Sequence, residues 1–89
     1  MNKKQRKELE KIQDRISEVQ TNIQCIREDL ECIRGEEEDK KDNLPDAFQY
    51  GEQGDKMQEA IDQLEYLMDE IDQADSTLQG VYDGISELL

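Results

Sequence analysis

Residues 9–33 read LEKIQDRISEVQTNIQCIREDLECI, and the spacing of their apolar positions decides the fold. Leu9, Ile12, Ile16, Val19, Ile23, Ile26, Leu30 and Ile33 follow one another at alternating intervals of three and four. Such spacing is the a/d seam of a coiled coil. With Leu9 as position a, the flanking e and g positions (Gln13, Arg15, Gln20, Asn22, Arg27, Asp29 and Arg34) are all polar, so the apolar stripe is narrow. The periodicity predicts a first helix from about Lys3 to about Lys41. Gly35 lies inside it at a cost of ~1 kcal/mol relative to Ala, which leaves a bend or fray open.

A second array runs through Met57, Ile61, Leu64, Met68, Ile71, Asp75, Leu78, Tyr82, Ile85 and Leu89 with the same alternation, beginning at d. Its g positions are apolar or small: Ala60, Leu67, Ala74, Val81 and Leu88. The second helix, about 55–89, therefore has a wider apolar face than the first, and such a face needs more than one neighbour to cover it. Asp55 and Gln58, directly after Gly54, form an expected capping box at its start. Residues 42–54 make the connector, where Pro45, Gly51 and Gly54 interrupt helical continuity and Pro45 can open a single turn through Gln49.

Folding the two arrays antiparallel pairs a with a and d with d about a centre near residue 49, inside the connector. The expected architecture is a single all-α domain over 1–89, a long antiparallel, coiled-coil-like helical hairpin. Two helices alone leave Leu67, Val81 and Leu88 exposed, so self-association into a homodimeric four-helix bundle is expected. A monomer whose connector folds back as a third packing element is the alternative.

Charge narrows the function. The chain carries 24 Asp and Glu against 11 Lys and Arg, a net charge of −13, and has no histidine and no Trp. Without histidine, the usual general base, zinc ligand sets and Ser/Cys–His catalysis are excluded, which points away from an enzyme. No catalytic, cofactor or metal residues are expected, and no CxxC, EF-hand loop, P-loop or GxGxxG is present. No apolar run approaches the ~20 residues that span a bilayer, and the basic start has no apolar run behind it. A cytoplasmic protein with reduced thiols at Cys25 and Cys32 is expected. Residues 1–15 hold six basic and three acidic side chains, whereas residues 42–89 hold one and thirteen. Nucleic acid and anionic lipid are repelled by such a chain, and a charge-steered partner should be basic.

Asp62, Glu65, Asp69 and Asp72 occupy successive b and e positions and, extended by Asp55, form an acidic row with spacings comparable to backbone phosphates. That row suits a basic protein groove; equally, it suits a solvated helix face. Asp75 falls at an a position opposite Ile23, where a polar residue fixes register or acts as a proton switch. Phe48 and Tyr50 concentrate apolar surface in the connector, either capping the hairpin core or forming a partner-binding tip.

The stretches Asn43-Leu44-Pro45-Asp46 and Gly54-Asp55-Lys56-Met57-Gln58-Glu59-Ala60-Ile61-Asp62-Gln63-Leu64-Glu65 lie within residues 43–65, about a quarter of the chain. They resemble small acidic proteins of unassigned role from Firmicute bacteria and their phages. The resemblance implies a phage or mobile-element setting, in the host cytoplasm, where small acidic proteins inhibit nucleic-acid-binding defence proteins by occupying basic grooves. Two functions are therefore expected to compete: an acidic inhibitor of this kind, mimicking DNA, and a structural or adaptor coiled coil whose role is its own assembly.

Overall fold

The computed structural model describes all 89 residues. Helix α1 spans Lys3–Asp42, a one-turn helix α2 spans Asp46–Gln49, and α3 spans Glu52–Leu88. The long helices α1 and α3 pack antiparallel as a hairpin measuring 69 × 15 × 12 Å between Cα extremes. At ~1.5 Å per residue, the length of α1 accounts for nearly all of the long dimension.

Asn2 caps α1. Its side chain accepts from the Gln5 backbone N–H at 2.8 Å, and the Gln5 side chain accepts the Asn2 N–H at 3.1 Å. This reciprocal pair satisfies two of the donors that a helix start leaves free. Gly35 is passed without interruption. The helix ends at Asp42, with Lys40 and Lys41 in its last turn, where cations complement the exposed carbonyls. Pro45 cannot continue the ladder, and its own carbonyl instead accepts from Phe48 and Gln49 to form α2. Gln49 then ties the turn to α1: its Nε2 donates to the carbonyls of Asp42 at 3.0 Å and Leu44 at 2.9 Å.

The start of α3 lies one turn earlier than the Asp55–Gln58 capping box placed it. Gly51 is the N-cap and no side chain caps it. Gly54 is thus inside the helix and buried, and its role is steric. A Cβ at this position would lie 1.9 Å from the carbonyl oxygen of Gln49, so the helix and the preceding turn approach as closely as only glycine permits. Gln58, freed from capping, accepts from Lys41 Nζ at 2.6 Å and donates to Asp62 at 2.9 Å.

A second correction concerns the seam of α1. Ile16 is buried and Leu9, Ile23 and Leu30 are half-buried, as expected of position a. The d residues Ile12, Val19, Ile26 and Ile33, however, are 40–50% exposed. Their place against α3 is taken by the e residues Gln13, Gln20, Arg27 and Arg34. Helix α1 is rotated so that an a/e strip faces its partner, because the e side chains find matching polar groups on α3 (below). Helix α3 contributes Ile61, Met68 and Ile85 as buried residues, with Leu64, Ile71 and Leu78 half-buried. Phe48 and Tyr50 do not cap this core. They are exposed, Tyr50 by 86%, since Gln49 rather than an aromatic ring turns inward.

Candidate functional site

Three surfaces qualify, and one polar ladder fixes the position of two of them. Gln13 Nε2 donates to the Tyr82 carbonyl at 3.0 Å and to Ser86 Oγ at 2.8 Å. Further along, Gln20 bonds Gln79 at 3.1 Å, Arg27 Nε bonds Asp72 at 2.8 Å and Arg34 bonds Glu65 at 3.4 Å. Lys41 and Gln58 complete the series. Every rung joins an e position of α1 to an e position of α3, and seven residues separate successive rungs on both helices. Like positions facing one another at constant spacing fix the antiparallel register along one edge of the hairpin.

The acidic row divides at this ladder. Glu65 and Asp72 belong to it, each paired with an arginine of α1. Asp62 accepts from Gln58, whereas Asp55 and Asp69 make no ion pair. The anions of the row left without a cation are thus the b residues Asp55, Asp62 and Asp69, which alternate with the rungs along the outward flank of the ladder.

Since the e positions form one edge, the d positions of α1 and the g positions of α3 form the other. There Ile12, Val19, Ile26 and Ile33 of α1 lie on the same side as Leu67, Val81 and Leu88 of α3, which are 39%, 49% and 55% exposed. A groove lined by Ile12, Ile16 and Val19 from α1 and Leu78 from α3, with Arg15 at its edge, crosses this side. The charge pattern of α3 respects the same boundary. Of its eleven acids, only Glu70 occupies a c or g position; the others lie at a, b, e and f. Depletion of charge around apolar side chains distinguishes the centre of a protein interface from ordinary surface. Sequence reasoning named the α3 half of this face and missed the α1 half. The missed signal was the e series Gln13, Gln20, Arg27 and Arg34, whose hydrogen-bonding partners recur at the e positions of α3.

The third surface is the tip, where Phe48 borders a shallow groove with Gly51, Glu52, Gln53 and Lys56. Only one of these lining residues is apolar, and Tyr50 stands apart from it. Cys25 and Cys32 are free and exposed at c positions of α1. No three His, Cys, Asp or Glu side chains are grouped to hold a metal ion, and no helix is long and apolar enough to cross a membrane. Within the seam, Asp75 Oδ1 and Arg34 Nε are buried without hydrogen-bond partners. Comparison of the chain with family models, curated proteins and solved structures finds no match.

Proposed function

We propose that this chain is a non-enzymatic helical interaction module whose working surface is the d/g face, and whose role is to hold further helices alongside its own. The observation that carries this reading is the continuous, half-exposed apolar side formed by Ile12, Val19, Ile26 and Ile33 with Leu67, Val81 and Leu88, from which the acids of α3 are withdrawn. A helix surface maintained only for solubility has no reason to sort its charges in this way. The test is capture of binding partners, the chain itself included, by three tagged forms: the native chain, an Ile26→Glu/Val81→Glu variant and an Asp55→Asn/Asp62→Asn/Asp69→Asn variant. Loss of capture with the first variant and retention with the second supports the module. The opposite pattern refutes it.

A second reading is supported by a different observation. Residues 42–89 carry Lys56 as their only cation, and the b row Asp55, Asp62 and Asp69 has no cationic partner. In this reading the chain is an acidic inhibitor, of phage origin and acting in the host cytoplasm, that occupies the basic groove of a nucleic-acid-binding defence protein. Binding of this kind would weaken steeply with salt and would fail in the triple Asn variant.

A further inference from the structure

We infer that the occupant of the d/g face is a second copy of this chain, stacked with its connector at the opposite end, so that two hairpins form a closed four-helix bundle. This inference rests on the reading of that face as the working surface, and three observations identify the occupant.

Surface area comes first. The hairpin exposes 6638 Å², with only six of 89 residues buried and no large side chain fully enclosed. A compact monomer of 10.4 kDa would expose about 5,400 Å². The d/g face extends for about 32 Å along the helices and is two helices wide, or roughly 640 Å² per copy, which puts the paired total of roughly 1,300 Å² inside the range of stable interfaces.

The second observation is the symmetry of the face. The α1 stripe runs from Ile12 to Ile33 and is centred between Val19 and Ile26; the α3 stripe runs from Leu67 to Leu88 and is centred between Ala74 and Val81. The polar ladder, which sets Gln20 beside Gln79 and Arg27 beside Asp72, places these two midpoints at the same level of the hairpin. A two-fold axis crossing both midpoints superposes each stripe on its own copy, as an isologous contact requires. It sets Val19 against Ile26 of the second copy and Arg15 level with the second copy's Asp29.

Charge selects the direction of stacking. The open end of the hairpin, residues 1–15 and 83–89, holds six basic and five acidic side chains, while the connector end, residues 36–59, holds three and nine. Stacking the copies with their connectors together would superpose two ends of net charge −6. Opposite stacking lays each −6 end over a +1 end.

Sedimentation equilibrium of the full chain at tens of micromolar should give twice the 10.4 kDa chain mass. The Ile26→Glu/Val81→Glu variant, with helical circular dichroism retained, should fall to the single-chain mass. For direction, single cysteines are placed in a Cys25→Ser/Cys32→Ser background: Asn22→Cys, beside the two-fold axis, should cross-link copies on mild oxidation, whereas Phe48→Cys, at the far tip, should not. A native chain of single mass overturns the inference, and if partner capture by that monomer is still lost in the face variant, the module reading survives without it. Dimers that persist in a folded face variant, or cross-links through Phe48→Cys in place of Asn22→Cys, also overturn it.

Discussion

Gly54→Ala should destabilise the chain, although the same exchange at Gly35 or Gly80 should stabilise it. In an interior helical position Ala is favoured over Gly by roughly 0.8–1 kcal/mol. At Gly35 and Gly80 an added methyl meets nothing within 4 Å, so the full propensity gain is realised. At Gly54 the methyl carbon would lie 1.9 Å from the Gln49 carbonyl oxygen, 2.5 Å from its carbonyl carbon and 2.9 Å from its Cα. All three are backbone atoms, and no rotamer change relieves the overlap. The α2 turn must move away by about 1 Å, which pulls Gln49 from the carbonyls of Asp42 and Leu44. Two hydrogen bonds at about 1 kcal/mol each and a packing penalty of about 1 kcal/mol outweigh the propensity gain, leaving a net loss of about 2 kcal/mol. For a chain of this length 1 kcal/mol shifts Tm by roughly 4–8 °C, so Gly54→Ala should melt about 8–16 °C lower and each control about 4–8 °C higher. Thermal circular dichroism at one fixed protein concentration reads the difference. A Gly54→Ala midpoint that rises with the controls would refute the close approach of α3 to the turn.

Gln49→Ala removes the same two hydrogen bonds without moving the helix, and should cost about 1–2 kcal/mol in urea unfolding; a cost within error of zero means that solvent already serves those carbonyls. Asp75→Leu replaces a seam carboxylate whose Oδ1 is buried and unpartnered, and should raise stability in urea unfolding by about 1–3 kcal/mol; no gain would refute the reading of Asp75 as an unpaired seam group. Raising NaCl from about 20 mM to about 0.5 M should raise Tm, because screening relieves the repulsion of a chain at −13, whereas its seven ion pairs all involve partly exposed side chains. A fall in Tm with salt would assign the stability to those pairs instead.

The hairpin was legible because two independent signals agree: heptad arrays that centre on residue 49 and a connector containing Pro45 and Gly51. What was not legible depends on partners that come close only once the chain has folded. Gly54 reads as punctuation in a linear chain, and its real constraint, the Gln49 carbonyl, exists only once the turn has formed. In the same way, Gln13, Gln20, Arg27 and Arg34 read as a solvated flank until α3 supplies Ser86, Gln79, Asp72 and Glu65 opposite them. An apolar period shows that a stripe will be covered, and does not distinguish a cover from the same chain from a cover by another. For the acidic row the difficulty is reversed: Asp72 and Glu65 look identical to Asp62 and Asp69 in sequence, yet only the former pair reaches an arginine of α1.

The rotation of α1 gives its two seam positions different work. Position a packs within the hairpin beside a polar ladder, and directional hydrogen bonds are better suited than apolar contact to fixing one register among the many that a heptad repeat allows. Position d, with g of α3, is left as apolar surface, which supplies affinity but little orientation. In the proposed pairing, orientation would come from the unequal charge of the two ends. Closure would come from the sorting of acids: the b and f positions of α3 carry seven of its eleven, so the outer side of a stacked pair repels a third hairpin while the apolar side is already occupied. The same excess of negative charge would thereby limit assembly to two, and the strength of that limit should weaken as salt is added.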